Sequence, residues 1–248
     1  LSRIADADTP RRRSNVAAHS ASPPLSPDPT TAQILRPATA PVRVREQLIE
    51  PLCVAALNTP ASQASARVFL GVLHDALFSG SGSSDLLLPR APLGALLPKP
   101  AAAWLQRHGV PLHTSARAMQ LQPAKPWQLD GHDFDAVLLA CSAAEAARLC
   151  AEIAPGWAAT TAALRYEPIV TVYLKCSGAR LSLPMLALHA GVQAPAQFVF
   201  DLGALDGPAG VFAFVISGAR DWVERGLDTT AQATLDQARA AFPAGHWP

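Results

Sequence analysis

Three short runs dense in β-branched and aromatic residues, IVTVYL (169–174), QFVF (197–200) and VFAFVI (211–216), constrain this chain more than any other feature. Such residues suit a pleated, half-buried surface. The glycines and prolines between the runs fit turns joining antiparallel neighbours. Beyond Ala163, therefore, the sequence predicts an antiparallel sheet with one apolar face, lining either a core or a pocket. Half of the 248 residues are hydrophobic and 16% are charged, which is enough apolar material for a sizeable core. No apolar run approaches the roughly 18 residues that a membrane span needs.

Ahead of the sheet the pattern is different. Residues 46–57 read as a buried helix, with Pro51 bending it or marking its start. Asn58, Thr59 and Pro60 follow as C-cap, N-cap and first-turn proline. In the next helix Phe69, Leu73 and Leu77 recur at four-residue spacing and share a face. A Ser-Gly loop (79–84) and a short helix (100–108) ended by Gly109 complete this part. Residues 110–114, 118–121 and 127–129 look like short strands. The run DAVLLA (135–140) reads as a strand covered on both faces. Ser142 and Glu145 make a capping box that starts a helix reaching Cys150. Strand, turn and capped helix is α/β grammar. A last helix occupies 229–242.

The first 45 residues are set apart by seven arginines against three acids and by many prolines, so a disordered or loosely packed arm is expected. Four segments follow: the arm (1–45), a helical part (46–108), an α/β part (109–155), and a sheet with a helix (156–248). The net charge of +1 gives no electrostatic case for nucleic acid. No apolar leader run marks a secretory signal. Cys53, Cys141, Cys150 and Cys176 form no C-x-x-C pair and fit small hydrophobes in a reducing cytoplasm. The chain opens on Leu1 and stops at Pro248 just after a helix, so an incomplete chain is expected.

Chemistry-bearing motifs are scarce. GSGSSD (80–85) approaches the dinucleotide fingerprint, but a helical pattern precedes it, Pro89 follows, and Asp85 would repel pyrophosphate. The histidines show no zinc spacing, so no metal is expected. No nucleophile elbow is present. His74 beside Asp75 fits a solvated pair. The residues alone assign no catalytic group.

Several stretches together carry a resemblance: EPLCVAALNTP (50–60), ASARVFL (64–70), SDLLLPR (84–90), YEPIVTVYL (166–174), FVFD (198–201) and VIS (215–217). In this order they resemble the hydroxysqualene dehydroxylases, squalene-associated FAD-dependent members of the amine oxidase and phytoene desaturase superfamily. The likeness runs from about Glu50 to the C-terminus. It implies an α/β (α+β) fold: a partial Rossmann-like FAD-binding domain with an inserted substrate domain of sheet and helices. It also implies an oxidoreductase that reductively removes the hydroxyl of hydroxysqualene, giving squalene for hopanoid or related isoprenoid synthesis. The cofactor is FAD and the substrate an apolar isoprenoid, whose pocket needs apolar walls in place of a polar triad.

Two features of the superfamily are missing from these residues: the N-terminal strand, glycine loop and helix that hold the flavin pyrophosphate, and a late Gly-Asp motif. A frameshift or gene truncation would explain the first. Two flavin-binding positions carry over by the resemblance: Ala118, where a backbone contact to the adenine is implied, and Ala140, at the approach to the flavin. A cytoplasmic location is implied, with room for peripheral contact at the inner face of the membrane. The alternatives are a non-catalytic remnant that binds an isoprenoid or a partner without flavin, and an unrelated interaction module using the Arg/Pro arm. Oligomeric state is not readable.

Overall fold

The computed structural model describes residues 28–35 and 41–242. Most of the expected arm (1–27 and 36–40) lies outside these, as do residues 243–248. The described piece of the arm is built into the fold. A short helix α1 (Thr31–Ile34) starts from a complete capping box, in which Thr30 and Gln33 each satisfy the other's backbone. Thr31 is fully buried, and the N–H groups of Thr31 and Ala32 donate to the carbonyls of Ala64 and Ala61, both at 2.8 Å. Ser65 also donates to the Asp28 carboxylate.

One long helical stretch follows. α2 (Val42–Val44) passes through a π-helical turn (Arg45–Ile49) into α3 (Glu50–Leu57). Pro51 has no N–H to give to the carbonyl four residues back, and the widened turn accommodates its ring. Asn58 ends α3 in the left-handed conformation (φ 48°), as its C-cap reading expects. Thr59 is not the next N-cap, because its hydroxyl donates to the Leu57 carbonyl at 2.9 Å. Residues 60–63 make a separate turn, and Ser65 caps α4 (Ala66–Leu73) by accepting from Val68. Phe69 is buried at the centre of a small cluster with Cys53, Ala61 and Ala64. The expected third member of that face, Leu77, is 46% exposed. After Leu73 the helix widens to a π turn (His74–Phe78), and the extra residue rotates Leu77 off the stripe. Two helices follow: α5 (Leu93–Leu96) and α6 (Pro98–Arg107), the latter released at Gly109 (φ 73°).

The middle region holds a three-stranded antiparallel meander: β1 (Leu121–Gln122), β2 (Trp127–Leu129) and β3 (His132–Phe134). β2 and β3 are joined through Asp130 and Gly131, both at positive φ, the conformation a two-residue hairpin turn needs. Three strand expectations are corrected here: of residues 118–121 only Leu121 enters a ladder, as the first residue of β1. Residues 110–114 are in no ladder. The 135–140 run is also unpaired among the described residues. It is covered on one side only: Val137 and Leu139 line a 190 Å³ cavity with Leu121, Trp127, Cys150 and Ile153, while Leu138 is 91% exposed. A continuous apolar run was a sound strand signal, but a strand needs a neighbour. Helices α7 (Ala143–Cys150) and α8 (Pro155–Ala162) pack together next.

The second half forms a four-stranded antiparallel sheet in the order β4 (Val170–Lys175), β7 (Val211–Ile216), β6 (Phe198–Asp201), β5 (Met185–Ala187). α9 (Arg220–Arg225) and α10 (Leu227–Ala241) follow β7. One sheet face is the main core: Leu174, Val199, Phe212, Phe214 and Ile216 pack with Ala238 of α10. Gln237 fastens α10 down. Its amide exchanges two 2.9 Å hydrogen bonds with the backbone of Ala196 and donates to the His189 carbonyl. The class is α+β, and every ladder among the described residues is antiparallel. No helix of the described residues is long and apolar enough to cross a membrane.

Candidate functional site

Strand parity sets what the other face of the sheet presents. Register pairs Val172 with Phe214 and Val199 with Phe214, which puts all three on the core side. Their alternates point the opposite way: Thr171, Tyr173 and Lys175 of β4, Val211, Ala213 and Val215 of β7, Phe198 and Phe200 of β6, and Met185 and Ala187 of β5. These residues lie outside the core cluster that α10 covers. Phe198, Phe200, Val211 and Val215 are half-buried by their neighbours, and Tyr173 on the edge strand is 64% exposed. The sequence left open whether the apolar face lines a core or a pocket. One face is the core, and the second is a partly exposed wall, apolar across β5, β6 and β7 and bordered by exposed Thr171, Tyr173 and Lys175 on β4.

At the end of the sheet where β4 begins and β7 finishes, three distant segments meet. The Asn58 side chain donates to the Glu167 carbonyl and accepts from the Gly218 N–H, each at 2.7 Å. The Glu167 carboxylate in turn accepts from the Arg220 guanidinium (2.9 Å) and from the Arg220 backbone N–H (3.1 Å). The Tyr166 hydroxyl accepts from the Ala143 N–H at 3.1 Å, tying the start of α7 to the same place. A cleft of about 690 Å³ opens here, lined by Thr59, Gln63, Arg165, Tyr166, Glu167 and Arg220. Glu167 and Arg220 neutralise one another, so Arg165 gives the cleft its net positive charge. Tyr166 retains its own O–H proton for donation.

This joint gathers the stretches 50–60, 166–174 and 215–217. A second tie links 84–90 to the turn after β6, where Arg90 meets Asp206 in a two-pronged ion pair at 3.0 and 3.1 Å. The pairing holds the Asp206 carboxyl below its ordinary range and the Arg90 guanidinium above its own. Sequence reasoning picked out Asn58 as a C-cap. Its two bonds to residues more than a hundred positions away left no sequence signal, and neither did the role of Arg220.

Ala118 and Ala140 both border α7, and no shared cavity among those described joins them. The carbonyls of Ala118 and Met119 accept from Arg148, the latter at 2.7 Å, and the N–H groups of Met119 and Gln120 donate to Asp130 at 2.9 and 2.7 Å. The backbone around Ala118 is thus engaged from two sides. Arg117 and Arg148 also clasp Glu145, and their hydrogen bonds hold its carboxyl below the ordinary range. Ala140 is exposed, two residues before the N-cap Ser142. Ser142 is only half of the expected capping box: it accepts from Glu145 N–H, while the Glu145 side chain goes to the arginines.

A flavin pyrophosphate needs free N–H groups at a strand-to-helix turn. At α7 the N–H groups of Ala143 and Glu145 are already taken by Tyr166 and Ser142. The Gly80–Gly82 loop follows a helical turn and leads into irregular chain. The described residues therefore do not form a pyrophosphate cradle. Among them no group of three or more His, Cys, Asp or Glu is placed to hold a metal. No protein-family model matches this chain, and no curated protein matches it.

Proposed function

We propose that this chain serves the FAD-dependent reductive dehydroxylation of hydroxysqualene to squalene, and that its described residues supply the isoprenoid-binding wall of that oxidoreductase. The observation that carries the reading is the second face of the four-stranded sheet, apolar on β5, β6 and β7, bordered by Thr171, Tyr173 and Lys175 of edge strand β4, and not part of the α10 core. A thirty-carbon isoprenoid offers little to hydrogen-bond, so its recognition rests on buried apolar area at about 25 cal/mol per Å². The cleft lies at one end of the same sheet. There the Arg165 guanidinium and the Tyr166 O–H are the donors available to a substrate hydroxyl.

FAD supplies the redox chemistry when bound. The described residues do not fit its pyrophosphate, so those contacts would come from outside them. A second reading shares the wall and drops the flavin: a non-catalytic protein that binds an apolar isoprenoid or a partner. The occupied N-terminus of α7 favours it. A cytoplasmic setting goes with both readings.

The test is equilibrium binding of radiolabelled squalene, together with the visible spectrum of the chain after incubation with FAD and desalting. Saturable squalene retention without flavin colour supports the wall. A retained flavin spectrum removes the second reading. Failure to retain squalene defeats both.

A further inference from the structure

We propose that the 690 Å³ cleft at the end of the sheet binds an organic oxyanion, a phosphate ester or a carboxylate, through Arg165. The polar groups of its lining residues divide unequally into donors and acceptors. The Glu167 carboxylate is fully engaged: it accepts from the backbone N–H, Nε and Nη2 of Arg220, and its side chain is only 17% exposed. A further 2.9 Å bond from Arg220 Nη2 to the Tyr166 carbonyl fixes that guanidinium and leaves Nη1 without a partner among the described residues. The Tyr166 hydroxyl accepts from Ala143, so the O–H is what it has left to offer. Thr59 gives its proton to the Leu57 carbonyl. Arg165 makes no hydrogen bond or ion pair with any described residue.

What stays open is a set of donors around one uncompensated positive charge. A negatively charged ligand that only accepts complements that set, whereas a neutral hydroxyl would leave the charge unmatched. A guanidinium presents parallel N–H groups that fit two oxygens of one carboxylate or phosphate. At about 30 Å³ for each water-sized group, 690 Å³ holds far more than a bare phosphate, which leaves room for an organic remainder. The inference goes beyond the reading of the sheet face and does not rest on it, because squalene, the probe of that face, carries no oxygen.

The test is isothermal titration calorimetry of the full chain with sodium phosphate and, separately, sodium acetate, with ionic strength held constant by sodium chloride. Saturable binding is expected, and the tighter anion tells a phosphate ester from a carboxylate as the ligand. Arg165→Gln should weaken it about tenfold, the loss of one charge-assisted pair. Arg165→Lys keeps the charge but loses the fork, so its affinity should fall between the two. Arg165 is exposed, so without anion both variants should keep the parent's unfolding midpoint. Lys99→Gln, which removes an exposed cation on α6, should leave binding unchanged. The proposal is overturned if neither anion saturates or if Arg165→Gln binds as tightly as the parent. It is also overturned if Lys99→Gln is equally impaired, because overall charge would then be the attraction. Squalene retention on the same preparations should not change with Arg165→Gln, so failure here and failure of the sheet reading are told apart.

Discussion

Asn58 offers the sharpest mutational handle on the joint at the end of the sheet. Its backbone is left-handed (φ 48°, ψ 33°), and its amide bridges Glu167 and Gly218 at 2.7 Å each. Asn58→Gly keeps the backbone relaxed and loses both bonds. At about 1 kcal/mol per bond this costs about 2 kcal/mol, since the half-buried partners can turn to water. Asn58→Ala loses the same bonds and adds a Cβ in the left-handed region, about 1 kcal/mol more. Asn58→Asp keeps the bond from Gly218 but sets an acceptor against the Glu167 carbonyl, and should be no more stable than Asn58→Gly. Urea denaturation followed by circular dichroism reads all four proteins. The expected order is parent, then Gly, then Ala, with one shared transition, because the bridge makes the helical part and the sheet unfold together. An Ala variant within about 0.5 kcal/mol of the parent would refute the reasoning, as would two separate transitions in the parent.

Three further outcomes are expected. Gln237→Leu leaves the N–H and C=O of fully buried Ala196 without partners and should destabilise the chain by about 3 kcal/mol in the same denaturation assay. Glu145 is held below its ordinary range by Arg117 and Arg148, so its contribution is present above the unfolded value of about 4.3 and is lost as pH falls through the lower folded value. The melting temperature of Glu145→Gln should therefore trail the parent at pH 7 and meet it under acid conditions. Exposed Cys141 should react with Ellman's reagent at once. Cys53, whose thiol is pushed up by burial, and Cys176 should react only on unfolding.

The sequence made three of the four sheet strands legible because their composition and alternation are local properties, while the three-residue β5 (Met185–Ala187) was too short to show either. The 211–216 reading coincides with β7, and β4 and β6 fall within a residue or two of expectation. β3 escaped notice although Asp130–Gly131 is a strong hairpin signal, because three polar-flanked residues carry too little apolar pattern. The DAVLLA run misled for a different reason. Hydrophobicity reports a demand for burial, but whether a neighbouring strand meets that demand is a tertiary fact. Leu77 shows the same limit on a helix, since one π turn breaks a phase that four-residue spacing assumes to be constant. In the arm, Thr30 and Gln33 carried a capping signal that the surrounding proline-rich composition masked. The candidate wall was half legible: its apolar residues were plain, but which face α10 would cover depended on register. The cleft was not legible, since Asn58, Glu167 and Arg220 are joined only by folding.

The central claim is that the second sheet face is an isoprenoid wall. Its most direct test is photoaffinity labelling of the full chain with a diazirine-bearing isoprenoid alcohol, mapped by peptide mass spectrometry. The account predicts saturable labelling, displaced by squalene, at Tyr173, Phe198, Phe200 and Val215. Labelling confined to residues 77–97, or labelling that squalene does not displace, would contradict it.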